Sequence, residues 1–495
     1  MAGLRKDIAS LGGAWSSTML WYARAVGALR ARPFSDRTSW VYLGSLHGID
    51  PQGWINQGLV PDPIPLPPPD PLQDRFQQCQ HAGWFFLPWH RGYLFAMEAI
   101  LADWIADQGG PSDWALPYWN YLDSTNPNAR DIPQEFLDAT LPDGTPNPLS
   151  QALRGPATRL GPQLWIGRDI SLAAQTSETV YTAIPGTLGY GGPISGYAQF
   201  GNSAGANEGN PHNLVHVMVG GDTSPQPAGW MFDPNFAALD PIFWVHHCNV
   251  DRLWEAWMSD PSHNMELGAA WKNGPFPTQF TMPDTSGALW IFVPEDTLPG
   301  ATLAPSYDNL HSGTDILPPA PAGGGGATPM AAAPTGTGQQ RANLLGANSG
   351  ALTVTSAETR TRIRMASTGP ATALGMAAAA PAANARYYLN IEGAKGTAPT
   401  AIVNVVLTGP DGDPGAAGAE ATTVSVALFG LANATESSGS HGGSGLSATE
   451  DVTDIVRTLQ ATSPDEIEAH VTLPETASGQ EITIERISIY TRQDG

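Results

Sequence analysis

The chain has 495 residues, 41 % of them hydrophobic and sixteen of them tryptophan, which can fill two or three domains and excludes a disordered protein. Its formal charge of −23 argues against a nucleic-acid groove or an anionic membrane surface as partner. Two cysteines, Cys79 and Cys248, are too few for a disulfide framework, for structural zinc or for an iron–sulfur cluster, and they suit a reducing compartment.

In chain order, the first forty residues carry Arg and Asp early and lack a compact apolar block before a small-residue cleavage site. They read as an amphipathic helix and a loop, and the expectation is a cytoplasmic protein, with export by another route left open. No run reaches the ~18 apolar residues of a membrane-spanning helix. "SWVYLGSLHG" sets Trp40, Leu43 and His47 on one helical face. In "CQHAGWFFLPWHRGYLFAMEAIL", His90, Leu94, Met97, Leu101 and Trp104 follow alternating steps of four and three, which predicts a helix stopped by Gly109, Gly110 and Pro111. His81 sits at the edge of that pattern. Trp84, Phe85, Phe86 and Trp89 read most simply as core. "PHNLVHVMVGG" predicts a short helix with His212 and His216 one above the other, and "FWVHHCNVDRLWEAW" puts His247, Val250, Trp254 and Trp257 on one face.

The composition then changes. Residues 1–311 form the Trp-rich helical part, and residues 312–339, mostly Gly, Ala and Pro, read as a flexible linker. Residues 340–495 carry short alternating runs such as "TAIVNVVLTG", "TTVSVALFGL" and "ITIERISIYTR" between Gly, Pro and Asp turns, which predicts an all-β sandwich. The fold class is therefore a mainly α catalytic domain followed by an all-β domain.

A single helical histidine is usually a hydrogen-bonded core residue. Six on inward faces are costly unless a metal or carboxylate satisfies their nitrogens, and neutral imidazole suits copper, zinc or iron. His47, His81 and His90 lie in one half of the helical part and His212, His216 and His247 in the other, offering two sets of three nitrogens. A zinc hydrolase reading of "HNLVH" fails because Asn213 stands where the catalytic glutamate would follow the first histidine.

These stretches resemble a family. "HAGWFFLPWHRGYLFAME" is similar to the first copper signature of tyrosinases, catechol oxidases and molluscan haemocyanins, and "DPIFWVHHCNVD" to the second; "LPYWNY" and the closing "SYDNL" extend the likeness over most of residues 1–310. The resemblance implies a four-helix bundle with two copper ions, one on His47, His81 and His90 and the other on His212, His216 and His247, leaving His246 outside the ligand set. It implies O2-dependent oxidation of small phenols, both ortho-hydroxylation of monophenols and conversion of o-diphenols to o-quinones. A catechol or o-aminophenol oxidase would use the same ligands, and so would an oxygen carrier of the haemocyanin kind, although carriers typically repeat the copper domain.

Further residue roles come only with the resemblance. Cys79-Gln80-His81 is similar to the arrangement in which a cysteine sulfur is bonded covalently to a copper-ligating histidine, whereas Cys248 reads as packing. Glu208 and Asn213 match the pair that holds a water and deprotonates an incoming phenol. Pro234 stands where several plant catechol oxidases carry a bulky gate. In related proenzymes a C-terminal β-domain covers the copper cleft, so the chain is expected to be latent, with no plugging residue assignable from its sequence. Neither a homo-oligomer nor a copper-delivery partner is in conflict with the sequence.

Overall fold

The computed structural model describes residues 3–151, 154, 159–160, 169–221, 229–265, 268–312, 342–365, 385–415, 422–436, 443–460, 465–474, 477 and 479–493. Apart from Ser312, the expected linker lies outside the described residues.

Among the described residues eight α-helices carry the first half: α1 Ser17–Arg30, α2 Trp40–His47, α3 Pro51–Asn56, α4 Phe86–Asp107, α5 Ala173–Ser177, α6 Leu214–Gly220, α7 Pro241–Ser259 and α8 Ala269–Lys272. Four of them start on side-chain caps. Ser16 accepts from the Met19 amide, Ser39 from Tyr42, Asp50 from Gly53 and Asp240 from Ile242, and Pro51 and Pro241 occupy first-turn positions where a missing N–H costs nothing. Gly109, with φ of 77°, supplies the left-handed residue that follows α4. The long helices α4 and α7 pack on each other, with α1 and α2 against them.

Buried charge locks this bundle. The Arg5 guanidinium donates to Glu98 on α4 (2.7 Å) and Asp251 on α7 (3.1 Å), and Arg91 reaches the same Asp251 at 2.6 Å. Tyr307, in the stretch "SYDNL", donates to Asp251 at 2.5 Å, so the segment expected to close the core does so through α7. Every charge here has a hydrogen-bonded partner, the condition under which burial is tolerated.

Two small pairs, β1 (Thr182–Ala183) with β2 (Gly192–Pro193) and β3 (Phe280–Pro283) with β4 (Leu289–Phe292), lie among the loops of the first half. The second half is β-rich, as expected. Its strands are β5 Ala342–Ala347, β6 Leu352–Val354, β7 Thr359–Met365, β8 Ala385–Gly396, β9 Thr400–Thr408, β10 Thr423–Phe429, β11 Leu446–Asp451, β12 Glu466–Thr472, β13 Ile482–Ile484 and β14 Arg486–Gln493. They join in one antiparallel path, β10-β9-β12-β7-β5-β14-β8-β13-β6, with β11 on β8. Val403, Val405, Ile467, Val471, Ile487 and Ile489 belong to its core.

The two cores interlock. Ile402, Ala427 and Phe429 of the β half belong to the helical core, and Ala82 and Phe200 of the helical half belong to the β core. Polar contacts flank this seam: Thr400 Oγ1 donates to the Phe232 carbonyl (2.6 Å), the Ser447 amide to Asn202 (2.7 Å), and Asn235 and Asn433 exchange two amide hydrogen bonds of 3.3 and 3.0 Å. Arg386 and Arg492 converge on the buried Glu178 at 2.9 and 3.5 Å.

Candidate metal centre

All six histidines singled out in the sequence converge, each no more than 3 % exposed. His47 closes α2, His90 lies in the first turns of α4, His216 is on α6 and His247 on α7. His212 lies at the start of the expected short helix, just past a break where Asn210 takes extended backbone (φ −146°, ψ 116°) ahead of Pro211, in the segment Glu208–Asn213 that leads into α6. His81 lies outside the helices, held by a bridge to Phe200, whose ring stacks on its imidazole at 4.9 Å and 15°.

Five of these rings are oriented through Nδ1. His47 faces the Pro234 carbonyl (2.9 Å), His90 the Phe86 carbonyl (2.8 Å), His216 the Met231 carbonyl (2.8 Å), His212 the Asn213 Oδ1 (2.8 Å) and His81 the Cys79 sulfur (3.3 Å). A carbonyl or amide oxygen only accepts, so on His47, His90, His216 and His212 the proton sits on Nδ1 and the Nε2 lone pair is free. The Nε2 atoms of His47, His81 and His90 are buried with no protein partner. The His247 Nε2 stands 3.3 Å from that of His212 and 3.2 Å from that of His216. Nitrogens about 2.0–2.1 Å from one ion would be separated by about that much. Burial and neighbouring imidazoles hold the rings neutral: desolvation takes His47 down to about 4 and the other five well below the ordinary histidine value.

His246 lies close enough to His212, His216 and His247 to compete for an ion, but its Nδ1 is 3.1 Å from the Tyr121 hydroxyl and its ring stacks on His212 at 5.4 Å. Cys248 is buried against the Leu116 carbonyl and the Tyr307 hydroxyl, consistent with packing. Cys79 is buried beside His81, and desolvation raises its thiol well above the ordinary value.

The remaining expected residues fall at the centre in altered settings. Glu208 accepts from the Ala82 amide at 2.7 Å, and burial pushes its carboxyl up to about 8 against the pull of backbone N–H groups. Asn213 is turned to His212 through Oδ1 and to the Ala427 carbonyl through Nδ2 (3.5 Å). Pro234 is buried and contributes its carbonyl to His47. The aromatic run divides. Phe86 and Trp89 pack on the imidazoles, with Phe86 4.6 Å from His212 and Trp89 4.7 Å from His90, while Phe85 packs on Phe280.

Sequence reasoning missed Phe429, at the end of β10. Its ring lies 4.5 Å from His216, tilted 33°, and 5.5 and 5.9 Å from His81 and His212. Phe200, against His81, was missed as well. Both lie in segments with no helical periodicity, and neither residue type by itself signals a site.

Fold and site together define a helical-bundle protein offering two adjoining sets of imidazole nitrogens, with a β-rich half packed over them. The comparisons place it further. Residues 37–260 match the family profile "Common central domain of tyrosinase", and residues 341–492 match a domain of unknown function, DUF7868. Tyrosinase HcTyr1 of Hahella sp. is 30 % identical across 96 % of this chain and 97 % of its own length. Aureusidin synthase of Antirrhinum majus is 28 % identical over 56 % of this chain, which spans 45 % of that protein. The fold is shared with a latent aurone synthase (TM-score 0.62, 18 % identity, 100 % of this chain and 90 % of that one) and with latent apple tyrosinase (TM-score 0.61, 19 % identity, 100 % and 98 %). The chain belongs to the tyrosinase family, whose members are copper-dependent oxidoreductases acting on phenols with O2.

Proposed function

We propose that the chain hydroxylates monophenols at the ortho position and oxidises o-diphenols to o-quinones, and that the intact chain is latent because its β half fills the cleft. The observation that carries this reading is the convergence of six buried, neutral imidazoles, five of them held through Nδ1, with their Nε2 atoms left to a metal. His47, His81 and His90 would hold one copper ion and His212, His216 and His247 the other. Copper supplies the one-electron chemistry at each of two ions that lets O2 oxidise a phenol. The protein supplies the rest: Phe86, Trp89 and Phe243 exclude water, and the carbonyls of Pro234, Phe86 and Met231 fix three of the rings.

In this reading Glu208 and Asn213 hold and orient the water that takes the proton of an incoming monophenol, a step an o-diphenol needs less. Glu208→Gln or Asn213→Leu should therefore lower monophenol turnover about tenfold more than diphenol turnover, a modest share of what general bases contribute. Rates on a monophenol and its matching catechol, with copper per chain measured alongside, test both function and roles. Two coppers with neither substrate turned over after activation would remove the proposal. The catechol-oxidase reading draws on the engagement of Asn213 with His212, and equal losses on both substrates would favour it.

A thioether between Cys79 and His81 belongs to the same reading, since the sulfur already lies against the ring at 3.3 Å. Copper-loaded, aerobically matured protein should yield a Cys79–His81 peptide lighter by two hydrogens in mass spectrometry. Unmodified residues after turnover would reject the bond.

The seam between the halves should make latency pH-dependent through Glu178. Burial pushes this carboxyl up to about 7, outweighing the attraction of Arg386 and Arg492, while Asp451, the other acid facing Arg386, is held low. A group whose value is raised on docking favours the docked form below its free value of about 4.5, and that contribution is lost as pH rises through about 7. The shift corresponds to roughly 3 kcal/mol. The ratio of turnover before and after mild detergent should accordingly rise between pH 5 and 8, by about tenfold or more. Glu178→Gln should flatten that profile; an unchanged profile would place the titration elsewhere.

A further inference from the structure

The segment that fills the cleft enters it as a polypeptide, and the cleft contacts its backbone and neighbouring residues as well as its ring. Around Phe429 the helical half makes three kinds of contact. At the preceding strand residues, the Asn213 amide faces the Ala427 carbonyl at 3.5 Å. At the following residue, Gly430 adopts φ 84° and ψ 21° with the Phe200 ring pressed against its Cα, so that a Cβ built there would fall inside the ring. Three residues further on, the Asn235 side chain exchanges two hydrogen bonds with that of Asn433, presenting a neutral amide at the rim. Left-handed backbone is open to glycine and costly for residues with a side chain, and here the Phe200 ring adds a steric bar of its own. The Phe429 ring meanwhile sits 4.5 Å from His216 and edge-on to His81 and His212.

We propose that the cleft is shaped for a phenol carried on a polypeptide, a tyrosyl side chain followed directly by glycine, and that Ala427–Asn433 occupies it as a pseudosubstrate with phenylalanine in place of tyrosine. The proposal rests on the phenol-oxidase reading above and adds the substrate class. Phe200 is its specificity-determining residue, selecting glycine, and Asn235 marks the amide-lined rim. In the reaction, the phenol ring takes one oxygen atom of O2 and the other leaves as water. The ring C–H hydrogen and the hydroxyl hydrogen both end in that water, and the four electrons lost on passing from phenol to o-quinone are those O2 gains. No further reductant is needed.

The test uses the full chain. In Phe429→Tyr, copper-loaded and exposed to O2, the plug becomes a substrate: the peptide containing residue 429 should gain one oxygen atom and lose two hydrogens, read by mass spectrometry, while copper-free protein stays unchanged. Adding Gly430→Ala should slow that conversion about tenfold or more. With detergent-activated parent chain, acetylated peptides containing Tyr-Gly should be oxidised about tenfold faster than the same peptides with Tyr-Ala, and Phe200→Ala should collapse that ratio towards one. An unmodified Tyr at 429 in a chain that oxidises free phenols after activation overturns the pseudosubstrate and leaves the phenol-oxidase reading standing. Equal rates on the two peptides overturn the glycine selection. Failure to oxidise any phenol, free or peptidyl, overturns the earlier reading together with this one.

Discussion

Replacing His247 with alanine should leave the chain with one copper ion or fewer and abolish phenol turnover, whereas His246→Ala should keep both ions. The two residues are neighbours on one helix, equally buried, and both lie among His212 and His216. What separates them is the direction of their nitrogens. His247 places Nε2 within 3.3 Å of the Nε2 atoms of both His212 and His216, and it also groups with His47 and His90, so it stands where the two sets of nitrogens adjoin. His246 engages its Nδ1 with the Tyr121 hydroxyl as the ligand rings engage theirs, but its Nε2 meets neither His212 nor His216 and it does not group with His47 and His90. Loss of a residue that orients a ligand typically costs about 10–100-fold in metal affinity, and loss of a ligand itself should cost more. His47, His81, His90, His212 and His216 should behave as His247 does. His263, stacked on Trp257 at 4.7 Å, and His470, paired with Glu358 at 3.2 Å in the β half, should be replaceable with no loss of copper. Copper per chain by elemental analysis decides the matter. Two ions retained in His247→Ala, or one lost in His246→Ala, would reverse the assignment.

The contrast between those residues shows what the sequence made legible. Helical periodicity placed His47, His90 and His247 on inward faces because α2, α4 and α7 are regular helices, two of them, α2 and α7, started by side-chain caps. His212 and His216 keep the expected helical spacing, but the backbone breaks just before them, where Asn210 is extended ahead of Pro211 because the residue before a proline disfavours the helical region. Periodicity could not see that. His81 was recognisable only from its motif, because its orientation comes from pairing with Phe200, more than a hundred residues away. The β half was legible as strands wherever side chains alternate. β11 and β12, with Glu, Asp or His among their residues, carry a weaker alternation and were not singled out. The partners across the seam, Glu178 with Arg386 and Arg492, and Phe429 with the imidazoles, depend on how two cores distant in sequence meet. No local pattern encodes that, and a phenylalanine closing a strand looks like any other core residue.

Phe429→Ala in the full chain should raise phenol turnover without detergent, with copper content unchanged. Two effects act in the same direction. The truncation vacates the space over His216, His81 and His212 that a substrate ring must enter, since Phe429 is 2 % exposed and lies within 6 Å of all three rings. It also weakens the docking that keeps the cleft covered. Phe429 belongs to the core of the helical half, and deleting a buried phenylalanine side chain costs about 3–5 kcal/mol because the surroundings collapse only partly into the void. Even about 3 kcal/mol shifts a docking equilibrium by roughly a hundredfold, so a chain that is almost wholly closed would become measurably open. Phe429→Leu keeps much of the volume and should release less. The seam bonds of Thr400, Ser447 and Asn433 remain in both variants, so the β half should stay folded and attached. The measurement is the ratio of turnover with detergent to turnover without it, which should be large in the parent, intermediate for Leu and close to one for Ala. A ratio for Phe429→Ala equal to that of the parent, with two coppers bound, would mean that the ring fills space without closing the site, and that access is controlled elsewhere along the seam.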